Sequence, residues 1–152
     1  MSITGKLFRI LMVDRTAKKK DLDQLTGELR TSDQTIANIV NSAEDNEANR
    51  EQLCHVIGIE RWAQMRLQTA LGGPVQMDEY DGYRPDLTQP LPALADTFSA
   101  TREQTLTLAD KLLSQPNIAD KIVAHNDMGD MRVKSWLQYI EMHGPYELRN
   151  VQ

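Results

Sequence analysis

The chain has 152 residues with a mass of 17.3 kDa, 40% apolar and 26% charged residues, and a net charge of −5 with a pI near 5.2. This length and mix suit a single globular domain, residues 1–152, with enough chain to bury a core without staples. The acidic balance argues against nucleic-acid binding, no run approaches the ~20 apolar residues of a membrane span, and the lone Cys54 rules out an internal disulfide and suits a reducing cytoplasm.

The apolar run from Leu7 to Val13 is interrupted by Arg9 and lacks a small-residue cleavage site after it. It reads as a docking segment and not as a signal peptide. Lys18, Lys19 and Lys20 read as a solvated helix start, not a phosphate patch. The first helix is expected from Lys19 to Val40, because Leu22, Leu25, Leu29, Ile36 and Ile39 fall on one stripe at three- and four-residue steps. The polar segment NSAEDNEAN offers Asn46 or Asn49 as cap for the next helix. That second helix is expected from Ala48 to Leu71, with Leu53, Val56, Ala63, Leu67 and Leu71 facing inward. On the same wheel His55 falls beside Ile59 and Trp62 at the edge of the apolar face, and Glu60 falls within it. Gly72, Gly73 and Pro74 end the helix.

Residues 72–92 read as a long loop, of a length that is often functional. A third helix is expected from near Pro92 to just before Pro116, with Leu94, Phe98, Thr101, Leu108 and Leu112 as its inner stripe. A second connection, AHNDMGDM, leads to a fourth helix from about Arg132, where Asp127 and Asp130 read as turn and cap residues. Strand signals are nearly absent. The expected fold is therefore all-α: a four-helix bundle with a long loop between its second and third helices.

Bundle interiors are where facing helices hold metals. On the fourth helix His143 and Glu147 lie four residues apart, on the side of Val133, Trp136, Leu137 and Ile140. A pair so spaced supplies two ligands, and His55 is the obvious third. Two histidines and a glutamate leave an open position for water or substrate, the pattern of catalytic zinc. The competing reading is a hydrogen-bonded core histidine and an exposed terminal glutamate. Pro145 lies between the two residues and opposes the helix there, either kinking it or ending it near His143.

At LCHVIGIERWAQMRLQTALGGP, continuing into MDEYDGYRP, and at HNDMGDMRVKSWLQYIEMHGPYELRN, the sequence resembles the DinB-like (DinB/YfiT) superfamily of bacterial four-helix-bundle metalloproteins. The resemblance spans nearly the whole chain. It implies a divalent metal, zinc or nickel, held by one histidine on the second helix and two residues four apart on the fourth. His55 and His143 match the first two positions, and the third, a histidine in the family, falls on Glu147. His125 matches no ligand position. The resemblance further implies a thiol transferase acting with a low-molecular-weight thiol, as relatives use bacillithiol or mycothiol, or a related hydrolase. A small-molecule substrate, no nucleic acid, no membrane and a homodimer complete that expectation.

Tyr80, Tyr83 and Arg84 in the long loop are candidates to roof a pocket, with Tyr83 and Arg84 as substrate contacts. Asp78, Glu79 and Asp81 lack the alternation of an EF-hand. Glu60 is expected to pair with a basic residue or to cap a neighbouring backbone group, against a reading as a general base near the metal, and Cys54 to pack, since neighbouring helical residues diverge by about 100°. Trp62 and Trp136 read as core residues near the proposed ligands. The alternative function is a non-catalytic helical interaction or dimerisation module with a vestigial metal site, its seven methionines making an adaptable surface. A helix-turn-helix DNA binder lacks a basic recognition helix.

Overall fold

A computed structural model of the chain describes residues 7–149 and Val151. The fold is mostly helical with one small two-stranded sheet. A π-helical turn, Arg9–Asp14, runs into a short helix α1, Arg15–Ala17. Four long helices come next: α2 (Leu22–Ser42), α3 (Glu47–Ala70), α4 (Leu91–Leu113) and α5 (Val133–Leu148). Each of α2 and α3 packs against both α4 and α5. Among the described residues, no helix is long and apolar enough to cross a membrane.

The helix starts obey local chemistry. The first long helix begins three residues later than its apolar stripe suggests. Asp21 accepts from the Gln24 N–H at 2.8 Å, and the Gln24 side chain returns a bond to the Asp21 N–H at 3.0 Å. This capping box fixes the start at Leu22. The three lysines lie ahead of it, and Lys20 pairs with Glu28 and donates to Gln138. Asn46, not Asn49, caps α3, accepting the Asn49 N–H at 2.9 Å. Pro90 precedes α4, and Pro92 sits in its first turn.

Two expectations are corrected. The connection before α5 is a hairpin: β1 (Ile122–His125) pairs antiparallel with β2 (Gly129–Arg132), in register Val123 to Met131 and His125 to Gly129. Ile122 and Val123 favour a strand, and Gly129, at φ +74°, supplies the left-handed residue that closes a three-residue connection. Helix α5 also runs through Pro145 without a break. Leu148, fully buried, anchors the last turn from beyond the proline. At Gly144 a Cβ would lie 2.6 Å from Ile36 Cδ1, so the glycine lets α5 approach α2 closely.

The core comes in two apolar clusters separated by a polar layer. One holds Leu25, Leu29, Trp62, Leu67, Leu112 and Trp136; the other holds Ile36, Leu53, Ile57, Leu94, Phe98 and Leu148. Between them in chain order, on α2 and α4, lie the buried Ser32 and Arg102, and on α3 the buried Glu60 follows Ile59 of the first cluster. Arg102 grips Glu60 with Nε at 2.7 Å and a terminal nitrogen at 2.9 Å, as the expected basic partner of that glutamate. On α5 the same interval, between Ile140 and Leu148, holds His143 and Gly144.

Candidate metal centre

His55 stands near the middle of α3; His143 and Glu147 stand one turn apart on α5, which packs directly against α3. The i, i+4 spacing points the two α5 side chains the same way. The His55 and His143 rings lie 5.3 Å apart between centroids, and His143 Nε2 is 4.0 Å from Glu147 Oε1. One ligand atom from each of the three residues lies within 4.8 Å of the others, so the group could hold a metal ion. Zinc bonds of ~2.0–2.2 Å in a tetrahedron put ligands about 3.3 Å apart, so closing on an ion asks for shifts of roughly 1 Å.

The donor set fits a divalent ion. Burial pushes His143 down to about 3, with His55 adding to the effect. Burial likewise lowers His55; Arg84 reinforces the shift and Glu147 opposes it. Both imidazoles are therefore neutral, the form that offers a lone pair. Gln52 donates to Glu147 Oε2 at 2.9 Å, holding the carboxylate with Oε1 on the His143 side. Gln52 lies one turn before His55, so α3 supplies both a ligand and the support of the opposite ligand.

The long loop reaches this group. A 3₁₀ turn, Tyr80–Tyr83, lies against α3, with Tyr80 edge-on to His55 at 5.4 Å. Gly58 permits it: a Cβ there would lie 2.7 Å from Arg84 Cγ and 3.3 Å from the Tyr80 carbonyl. The Arg84 guanidinium stands 3.4 Å from His55 Nδ1. Arginine only donates, so this contact uses the Nδ1 lone pair and puts the ring proton on Nε2. Ligation through either nitrogen therefore requires Arg84 to swing away. Arg84→Ala is expected to tighten divalent binding by roughly three- to tenfold, the worth of one such hydrogen bond. Titration calorimetry measures it, and unchanged or weaker binding would show that Arg84 does not oppose the ion.

Tyr83 is placed differently. Its hydroxyl is engaged by Asp78 and Gln76, and its carbonyl accepts from Arg61. The structure does not bring it to the three-residue group. Cys54 is buried in the second apolar cluster, and burial pushes its thiol up.

Three participants lie outside the residues singled out as ligands or contacts: Gln52, Tyr139 and His125. Tyr139 precedes His143 by four residues and packs on it at 5.3 Å. That i, i+4, i+8 column of Tyr139, His143 and Glu147 was visible in the spacing. His125 was not, because the hairpin delivers it. Its ring stacks on Trp136 at 5.1 Å and meets Trp62 and Tyr139 edge-on. Nδ1 accepts the N–H groups of Asp127 and Met128, which assigns the ring proton to Nε2. A cavity of about 350 Å³ opens beside the metal group, lined by His125, Met128, Tyr139, Met142, His143 and Glu147 among others.

Burial pushes His125 down to about 4; Arg66 reinforces the shift and Asp127 opposes it. An unfolded chain protonates this residue near ~6.5 while the folded one does not. The contribution is thus fully present above ~6.5 and is lost as pH falls toward 4, on the order of 3 kcal/mol in all. Urea titrations of metal-free protein should show the stability gap between wild type and His125→Gln falling through that window. A gap independent of pH would exclude a neutral buried His125.

No family model matches the chain, and no curated protein or solved structure matches it.

Proposed function

We propose that this chain is a divalent-metal-dependent enzyme of the DinB-like kind, a thiol transferase or related hydrolase, with His55, His143 and Glu147 holding a zinc or nickel ion. In this reading α2 to α5 form a DinB/YfiT-like four-helix bundle. The observation that carries it is the convergence of two neutral imidazoles and a braced carboxylate from two helices, beside a cavity. When bound, the ion supplies Lewis acidity that deprotonates a coordinated thiol or water.

The chain's own residues set the surroundings of that chemistry. Three protein ligands leave a position open for a small molecule. Gln52 fixes Glu147, and Tyr80 fixes the His55 ring. Burial raises Tyr139 well above the ordinary phenol range, so its hydroxyl stays protonated and available as a donor. Were a thiol held at the ion, its thiolate would be the nucleophile, and the cavity lined by His143 and Glu147 would leave room for the acceptor. Cobalt-loaded protein titrated with 2-mercaptoethanol tests the reading. A sulfur-to-cobalt charge-transfer band, absent in His143→Ala, is the expected result; a spectrum indifferent to thiol would refute thiol activation.

A second reading has its own support. Leu7, Ile10, Leu11 and Met12 are each at least half exposed, an apolar face on the N-terminal turn. That turn is pinned to the hairpin by Arg9, which donates to the carbonyls of Met128 and Asp130. Such a face suits a homodimerisation module with a vestigial site. Sedimentation of Leu7→Ser/Leu11→Ser tests this face, which predicts loss of the dimer, and zinc titration of the wild-type chain separates the two readings, since a vestigial site takes up no stoichiometric ion.

A further inference from the structure

The exposed face of the N-terminal segment is built in two halves. Residues 7–17 are helical throughout. Their inward stripe is Arg9, Val13 and Ala17, at four-residue steps. Val13 and Ala17 are fully buried, and Arg9 is tied to the hairpin carbonyls of Met128 and Asp130. The outward stripe, at the same steps, is Leu7, Leu11, Arg15 and Lys19, all exposed. It changes from apolar to basic halfway. Phe8, Ile10 and Met12, between 42 and 50% exposed, widen the apolar half, and Lys18 joins the basic half. Arg9 pairs with Asp14 and Lys20 with Glu28, whereas Arg15, Lys18 and Lys19 have no ion pair or side-chain hydrogen bond among the described residues. Residues 7–20 carry five basic side chains and one acidic, a net charge of +4 in a chain of −5, so the other residues together carry −9.

We infer that this face docks on an anionic bilayer surface, with Leu7, Phe8, Ile10, Leu11 and Met12 entering the headgroup region and Arg15, Lys18 and Lys19 meeting the anionic headgroups. The inference stands apart from the metal reading. An apolar half beside an uncompensated basic half is the pattern of a segment that lies in the interface plane. Eleven helical residues fall short of the ~20 that cross a bilayer, so contact is at the surface. Lying flat, the helix holds both halves within the ~8 Å over which charge acts at physiological salt. Five apolar side chains about half exposed offer on the order of 500 Å², at the upper end of the patches a monomer exposes. That falls short of the ~800 Å² per partner of a standard protein interface. A second copy of the chain is a poorer occupant. In an isologous contact the face meets itself, so the three cations gain no opposite charge. The lysines expected as a solvated helix start thereby acquire a partner, and the expectation of no membrane contact gives way to contact at the surface alone.

Flotation of the full chain with vesicles tests this. Phosphatidylcholine vesicles are compared with vesicles in which about a third of the lipid is phosphatidylserine. A protein of net charge −5 is repelled by the anionic surface as a whole, so binding that grows with phosphatidylserine reports the local basic face. The expected result is binding to the phosphatidylserine vesicles alone, lost between roughly 0.1 and 0.5 M salt. Arg15→Ala/Lys18→Ala/Lys19→Ala should weaken it by roughly 100-fold, about fivefold per cation. Leu7→Ser/Leu11→Ser should weaken it by about tenfold or more. All five positions are exposed, and the melting point of each variant shows that the fold is kept. No binding to phosphatidylserine vesicles, equal binding to both kinds, or binding that ignores either variant overturns the proposal; binding that ignores salt does so without any variant. A dimer formed without vesicles and abolished by Leu7→Ser/Leu11→Ser gives the face to a second copy and overturns it too. Binding to poly-glutamate that depends on both sets of positions, with none to vesicles, gives the face to an acidic protein instead.

Discussion

His143→Ala is expected to weaken zinc binding by roughly 100-fold or more, because the loss of one protein ligand in three exceeds the ~10–100-fold typical of a lost supporting group. His143 is the pivot of the group. It faces His55 across the helix interface at 5.3 Å, and its Nε2 is the atom measured 4.0 Å from Glu147. His55→Ala should match it. Gln52→Ala should cost less, about tenfold, since it frees the Glu147 carboxylate without removing it. Glu147→His should retain binding and shift its charge, because it installs the third imidazole that the resembled family uses. Competition against a chromophoric chelator gives all four affinities. Thermal unfolding of each variant without metal separates a lost ligand from a lost fold. Equal affinity for wild type and His143→Ala would exclude this residue as a ligand.

Arg102→Ala should produce the largest loss of stability, about 3–5 kcal/mol, because it leaves the Glu60 carboxylate charged, buried and partly unpaired. Glu60 is 2% exposed and Arg102 fully buried. The guanidinium donates twice to Glu60, and its other terminal nitrogen reaches the Leu29 carbonyl at 2.9 Å and Ser32 at 2.7 Å. Thr105 donates a further bond to Glu60 at 2.6 Å. Every arm of the fork is thus committed, so Arg102→Lys should also be costly, since an ammonium cannot reproduce the paired geometry. At this chain length the alanine variant should melt about 10 °C lower. By contrast Arg30→Ala removes only an exposed 3.4 Å contact to Asp110 and should cost under ~1 kcal/mol. Matched melting points for Arg102→Ala and Arg30→Ala would remove the polar layer from the account of stability.

Much of this was legible in the sequence because it is local. The stripe of Leu94, Phe98, Thr101, Leu108 and Leu112 fixed the inner face of α4, and all five are buried. Glu60 on an apolar face called for a basic partner or a backbone cap, and Arg102 is the partner. The His143 and Glu147 pair was readable from spacing, and so was His55 as a partner, once two apolar-faced helices were expected to pack. What was not legible is what distant segments supply. The hairpin depends on Gly129 taking a left-handed conformation, and its weak strand signal hid the delivery of His125 to Trp62 and Trp136. Pro145 argued for a break that packing of Leu148 and the Gly144 approach to Ile36 override. Arg84 reached His55 through the bare backbone of Gly58, a contact 29 residues apart that no helical wheel displays.

X-ray absorption on untagged, zinc-loaded protein tests the central claim most directly. One ion per chain is the result expected, with two imidazole nitrogens and one carboxylate oxygen at ~2.0–2.2 Å and a fourth, exchangeable light atom. A chain that retains no stoichiometric ion, or an ion without imidazole scattering, would contradict it.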